Sequence, residues 1–214
     1  MAPNGVSLRV TVPICSFRKG HAREYLETEV VPPPSTIYGF LLSLVGEEDR
    51  RRYLGTRIAY ALLVEPRVSV VLRTAWRVKV KKLPLGIGSN RRPDYQEILT
   101  ELQLAIWVEE GPLAIMLENT ALRPHSIERF GGLSLGESRD LVNDIQWLPK
   151  WGLSTNGNWL LPDPVGVLTL PVWADHVGSR GTVVRQFSLK EKPLVMPSID
   201  APMWIRITNE DVEA

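Results

Sequence analysis

Arg129–Ser138 reads R-F-G-G-L-S-L-G-E-S, with three glycines and two serines in ten residues. Upstream, Leu113–Leu122 places apolar Leu113, Ile115, Met116, Leu117 and Leu122 at helical spacing behind a Gly111-Pro112 break. Downstream, Asp140–Trp147 suits a strand. The glycine-rich stretch is therefore a helix-to-strand connection, and that assignment closes the order of elements on its N-terminal side. Glu97–Val108 alternates, with Ile98, Thr100, Leu102, Leu104, Ile106 and Val108 on one side. Before it, Val68–Lys82 puts Arg73, Ala75, Arg77, Lys79 and Lys81 on one face and Thr74, Trp76, Val78 and Val80 on the other. Leu83–Asp94 is rich in turn residues and is expected to be a mobile tip, so the two limbs form a long projecting hairpin. Arg57–Val64 is a strand buried on both faces. Ser35, after Pro32-Pro33-Pro34, is expected to cap a helix running to about Val45. Ser7–Ile14 is the first strand, and the polar Phe17–Glu29 a loop. The order strand, helix, strand, strand, helix, loop, strand is βαββαβ: an α+β, ferredoxin-like (RRM-like) fold with two helices on one face of an antiparallel sheet.

The glycine-rich stretch has two readings. Its glycines relieve strain in a tight connection, or its backbone N–H groups converge on an anion such as phosphate. It is no Walker loop, because no Lys-Ser or Lys-Thr pair follows the glycines. Gly39, in the middle of the first helix, costs about 1 kcal/mol relative to alanine. A glycine there allows a neighbouring element or a ligand to approach closely. The cluster Glu47–Arg52, E-E-D-R-R-R, reads as a solvated second helical turn.

Charge sets the class of partner. The 214 residues carry a net charge of only +1, which excludes a generic polycation. Yet Arg67–Tyr95 holds eight Arg or Lys against one acid, a net +7, which leaves −6 for the remainder. After Tyr95 acids outnumber bases sixteen to nine. A basic projection on a mildly acidic body points to a directed polyanion contact, with other surfaces facing protein. The alternative is that basic residues merely protect an exposed edge. Cys15 is the only cysteine, so an intrachain disulfide is excluded and a reducing cytoplasm is expected. Three scattered histidines (His21, His125 and His176) do not make a structural zinc site, and no metal or cofactor is expected. No apolar run reaches the roughly 20 residues of a membrane span, and the first residues lack the layout of a signal peptide.

From Pro149 onward proline, glycine and tryptophan become frequent. Short strands are expected at Val165–Trp173, Thr182–Leu189 and Met203–Ile207, with Trp151, Trp159 and Trp173 filling a thin core. The expected division is a ferredoxin-like domain over 1–147, its hairpin thumb at about 73–104, and a small β-rich extension over 148–214.

P-P-P-S-T-I-Y-G-F-L-L-S-L-V-G (Pro32–Gly46) and G-G-L-S-L-G-E-S-R-D-L-V (Gly131–Val142) resemble the fifth family of CRISPR-associated proteins, a branch of the RAMP superfamily. The match in order and spacing covers roughly residues 7–147, and the basic hairpin lies where that family has its thumb. The resemblance implies an RNA-binding subunit of a type I Cascade complex in the cytoplasm of a prokaryote. Such a subunit caps the backbone filament and holds the 5′ handle of the crRNA. Its thumb lies over the guide beside the first backbone subunit, with the large subunit docked nearby and target DNA close to it in the assembled complex. Carried over by motif, Ser35, Thr36, Tyr38 and Gly39 form one edge of the handle site. Arg129, Gly131, Gly132, Ser134, Gly136 and Ser138 form the other. Arg73, Arg77, Lys79, Lys81, Arg91 and Arg92 belong to the thumb. Tyr38 stacks on a splayed base or packs on its own helix; both readings are open.

Some branches of the family cut precursor crRNA without metal, using Tyr, Lys and His. His125, four residues before the glycine-rich stretch, is the candidate here, though Pro124 rather than lysine precedes it. A processing endoribonuclease is thus one alternative to a binding subunit. A generic ferredoxin-like RNA-binding domain without a CRISPR role is another.

Overall fold

A computed structural model describes residues 5–22, 25–129, 131–148, 155–175 and 181–210. In chain order the elements are β1 (Gly5–Cys15), β2 (Tyr25–Leu26), α1 (Pro34–Leu44), β3 (Arg57–Leu62), β4 (Arg67–Trp76), β5 (Arg91–Glu109), α2 (Pro112–Leu122), β6 (Asp144–Trp147), β7 (Asn156–Pro162), β8 (Leu168–Ala174), β9 (Thr182–Pro193) and β10 (Ile205–Arg206). β5 is the axis. On one side it pairs antiparallel with β1, from Gly5↔Glu109 to Cys15↔Leu99. On the other it pairs first with β3 and then with β4, out to Trp76↔Arg91. With β6 on the far edge of β1, the spatial order β6-β1-β5-β3 is the ferredoxin-like arrangement.

Alternation decides which face is which. Leu8, Ile106 and Tyr60 lie in one cross-strand row, Val10, Leu104 and Leu62 in the next. These rows are buried against Ile37, Leu41 and Leu44 of α1 and Leu113 and Leu117 of α2. The opposite face carries Ala59, Ala61 and Ala105, small enough to admit the stacked indoles of Trp107 and Trp159, whose centroids are 4.4 Å apart. Leu194 and Met196 close that second layer.

Several boundaries differ from expectation. The β4 limb ends at Trp76 rather than Lys82, because Asn90 captures the chain beyond it. Its buried amide oxygen accepts from the N–H groups of Lys79 (2.9 Å) and Val80 (2.8 Å), and its nitrogen donates to the carbonyls of Val80 (2.9 Å) and Leu83 (2.7 Å). The tip is thus a loop closed on one side chain, and Lys79 and Lys81 stand in it rather than on a strand face. Strand β6 begins at Asp144, not Asp140, because Asp140 is engaged in the glycine-rich stretch. Ser35 is not the cap of α1. Pro33 occupies that position and Pro34 the first helical one, where a missing N–H costs nothing.

The C-terminal strands continue the sheet. β7 pairs with β3, β9 with β7 and β8 with β9, while β10 pairs with β3 at Ile58 and Arg57. Strand β7 has no counterpart among the strands expected from the sequence. The curl of this extension brings β8 against α1. Trp159 and Trp173 are buried as expected, and Trp151 and His176 lie outside the described residues.

Candidate nucleic-acid interface

The triple proline sets the start of α1. The hydroxyl of the fully buried Tyr60 donates to the Pro32 carbonyl at 2.6 Å, tying the extended segment to β3. The helix then runs with Ser35, Thr36, Gly39 and Ser43 along an open side and Tyr38 turned inward. Tyr38 is fully buried, and its hydroxyl donates to the Arg50 carbonyl at 2.8 Å. Burial pushes its phenol pKa up to about 12. Of the two readings of Tyr38 the structure takes the packed one, and the ring is withheld from any base.

Arg50 is not part of a solvated helical turn, as the run Glu47–Arg52 suggests. The chain after α1 folds back, and the guanidinium of Arg50 crosses the helix at Gly39. A Cβ on Gly39 would stand 3.0 Å from Arg50 Nη1. Arg50 donates to the Ser35 carbonyl at 3.2 Å, and its Cζ lies 5.6 Å from the centroid of the Trp173 ring. Burial lowers its pKa, but an arginine remains charged. The one available signal was Gly39 itself, since a mid-helix glycine marks something lying across it.

The glycine-rich stretch folds as a small turn anchored by buried Leu135. Val142 donates to Leu133, and Leu135 to Asp140, both at 3.0 Å. One carboxylate oxygen of Asp140, Oδ2, accepts from the amides of Ser16 (2.9 Å) and Glu137 (2.8 Å). The convergent amides expected for an external anion are in part already taken by this internal one. Gly136 makes the arrangement possible: it has φ +119°, and a Cβ there would lie 2.6 Å from Asp140 Oδ2 and 2.8 Å from the Ser16 carbonyl. Gln96, also buried, donates to Ser16 Oγ (2.8 Å) and Glu137 (3.0 Å), linking this turn to β5.

Between α1 and this turn lies an open cleft of about 510 Å³. Ser35, Thr36 and Gly39 form one wall and Ser134 and Gly136 the other, with Arg18 and Arg50 supplying positive charge and Pro171 and Ala174 of β8 closing an end. Two motifs far apart in sequence, Ser35–Gly39 and Ser134–Gly136, therefore border one cavity. A second cavity of about 230 Å³ shares Gly39, Ser43 and Arg50 with the first and adds Arg129, which donates to the Leu44 carbonyl at 3.2 Å. Gly131, Gly132 and Ser138 border neither cavity, and nor does His125, which is exposed on a 3-10 turn over Pro124–Ser126.

The other expected residues form a separate surface on the hairpin. Arg73 is engaged with buried Asp94 at 2.9 Å, so its charge is locally balanced. Arg91 lies opposite Trp76 and Arg92 opposite Ala75. Arg77, Lys79 and Lys81 are exposed, the first donating to the Ser89 carbonyl at 3.3 Å. One face of β4 is apolar and exposed: Val68, Val70, Leu72 and Trp76, the last 69% accessible.

A CRISPR-associated protein Cas5 from Myxococcus xanthus (strain DK1622) is 46% identical to this chain over 184 residues, 83% of this chain and 86% of that protein. The chain belongs to the Cas5 family. No family model matches it. Among solved structures, a chain of a "CRISPR RNA-guided surveillance complex" superposes with TM-score 0.63 at 13% identity, covering 94% of this chain and 96% of that one. A crystal structure of a Cas protein matches with TM-score 0.54 at 13% identity, covering 90% and 96%. At these identities the likeness concerns the fold, and it extends over both the ferredoxin-like core and the C-terminal strands of this Cas5 family member. Among the described residues no helix is long and apolar enough to cross a membrane.

Proposed function

We propose that this Cas5 family chain is the RNA-binding subunit of a CRISPR surveillance complex that holds the 5′ handle of the crRNA in the cleft between α1 and the glycine-rich turn. The observation that carries the reading is the shared cavity: Ser35, Thr36 and Gly39 face Ser134 and Gly136 across it, and two arginines border it. Hydroxyl groups and guanidinium groups on opposite walls suit a single strand whose phosphates and base edges are held together. The thumb supports a place at the end of a filament. Its exposed basic tip attracts the guide backbone, and its apolar β4 face needs a protein neighbour, which the adjoining backbone subunit supplies. The large subunit and target DNA lie nearby in that assembly, in a prokaryotic cytoplasm.

Family membership leaves the generic domain without a CRISPR role unsupported. The nuclease alternative gains nothing from the geometry: His125 borders neither cavity, and of its candidate partners, Tyr38 or a lysine from elsewhere in the chain, Tyr38 is buried with its proton engaged. Sequencing RNA that copurifies with the tagged chain tests the proposal. Enrichment of repeat-derived 5′ handles is expected, and unbiased cellular RNA would contradict it.

A further inference from the structure

One feature of the cleft wall has no counterpart in the motifs: a guanidinium seated over the middle of α1, with a buried indole from the C-terminal strands held against it behind the wall. We propose that Arg50 is the phosphate-binding cation of the cleft and that Trp173 of β8 is a positioning residue that keeps its fork turned to the bound strand. The inference rests on the cleft being the RNA site.

Arg50 borders both cavities, so it stands at the junction of the open space on this side of α1. Two contacts hold it there, and Gly39 leaves it room. Its fork donates to the neutral carbonyl of Ser35, its Cζ lies at cation–π distance from Trp173, and a Cβ on Gly39 would stand 3.0 Å from Nη1, so the guanidinium would have to shift by a few tenths of an ångström. Its buried Nε has no acceptor among the described residues. A half-buried guanidinium held this way has lost part of its hydration, and a phosphodiester replaces that hydration with a planar, bidentate match. The side chains that hold it come from distant parts of the chain. Trp173 is 4% exposed and packs beside Tyr38, ring centroids 6.4 Å apart, so β8 and α1 are locked together at this point. The C-terminal strands are thereby a working wall of the RNA site.

The test is fluorescence anisotropy of the full chain on single-stranded RNA bearing the repeat-derived handle, over a salt series. Arg50→Gln is expected to lower affinity about tenfold or more and to flatten the log-affinity versus log-salt slope by about 0.7. Arg50→Lys keeps the slope but does not restore affinity, because a point charge does not reproduce the fork. Trp173→Leu reproduces the affinity loss and Trp173→Phe gives part of it; should the leucine variant not fold, the phenylalanine variant carries this arm. Gly39→Ala weakens binding in the wild-type background and has no further effect in Arg50→Gln. A folded Arg50→Gln with wild-type affinity and slope overturns the proposal. Equal loss from Gly39→Ala in both backgrounds overturns the seating role of that glycine. A wild-type chain that binds no handle RNA overturns the RNA reading and this inference together. A wild-type chain that binds, with loss of slope confined to thumb variants, overturns this inference alone.

Discussion

Asp140 shows how much of the cleft depends on one side chain that was not among the expected site residues. Its carboxylate joins the end of β1 to the glycine-rich turn through two backbone amides. Replacing it with alanine leaves both donors without their acceptor, at a cost of roughly 2–4 kcal/mol. Asparagine retains an acceptor oxygen and should cost far less, a difference that denaturant unfolding would resolve. Burial, the larger influence, raises the Asp140 pKa against the two amide bonds that lower it. The native state therefore holds this proton to higher pH than the unfolded chain does. Its contribution is full below the ordinary aspartate range and is lost as pH rises through the raised value. Asp140→Asn should thus gain stability relative to the wild type from acid to neutral pH, and a flat difference would show that the group is not raised. Composition marked the glycines, but not the reason for them: Gly136 is needed because an acid four residues on folds back against it. Tyr38 and Arg50 make the same point. Motif position placed the tyrosine in the site, yet burial removes it, and an arginine from a charged run takes the place beside the cleft.

At the level of elements, the thumb was legible as a hairpin because a period of two persists from Val68 through Val80. The same regularity overextended the strand, since alternation does not reveal a side chain such as Asn90 that captures the chain at Lys79 and Val80. The charge pattern survives this change of geometry. Arg77, Lys79 and Lys81 are exposed around the tip, free to meet phosphates from more than one side. Replacing the three together by alanine should reduce the salt slope of single-strand binding by about 0.7 units for each cation that contacts a phosphate. An unchanged slope in a titration series would assign these residues to edge protection. Arg73 should contribute less than its neighbours, because Asp94 already balances it.

Over the whole molecule, the βαββαβ core was legible because helix and strand periods separate cleanly before residue 147. The C-terminal strands are legible only as a small β-rich extension, since nothing local to β7 or β8 states which edge they join. The alanines at 59, 61 and 105 carry that information in three dimensions: they make room on the second face for Trp159 and the segment that follows β9. On the proposed reading the chain holds RNA and does not cut it. Purified chain should leave repeat RNA intact in EDTA and in divalent metal alike. Specific cleavage that disappears in His125→Ala would make this chain the processing nuclease instead.

The claim that the two motif-bearing walls grip the crRNA handle is tested most directly by photocrosslinking. The chain would be bound to crRNA carrying a photoreactive base either in the handle or in the guide, and the adducted peptides identified by mass spectrometry. Handle positions are expected to label peptides spanning residues 35–50 and 131–138, and guide positions to label the thumb around residues 77–92. Handle adducts confined to the thumb, with none on either wall of the cleft, would contradict it.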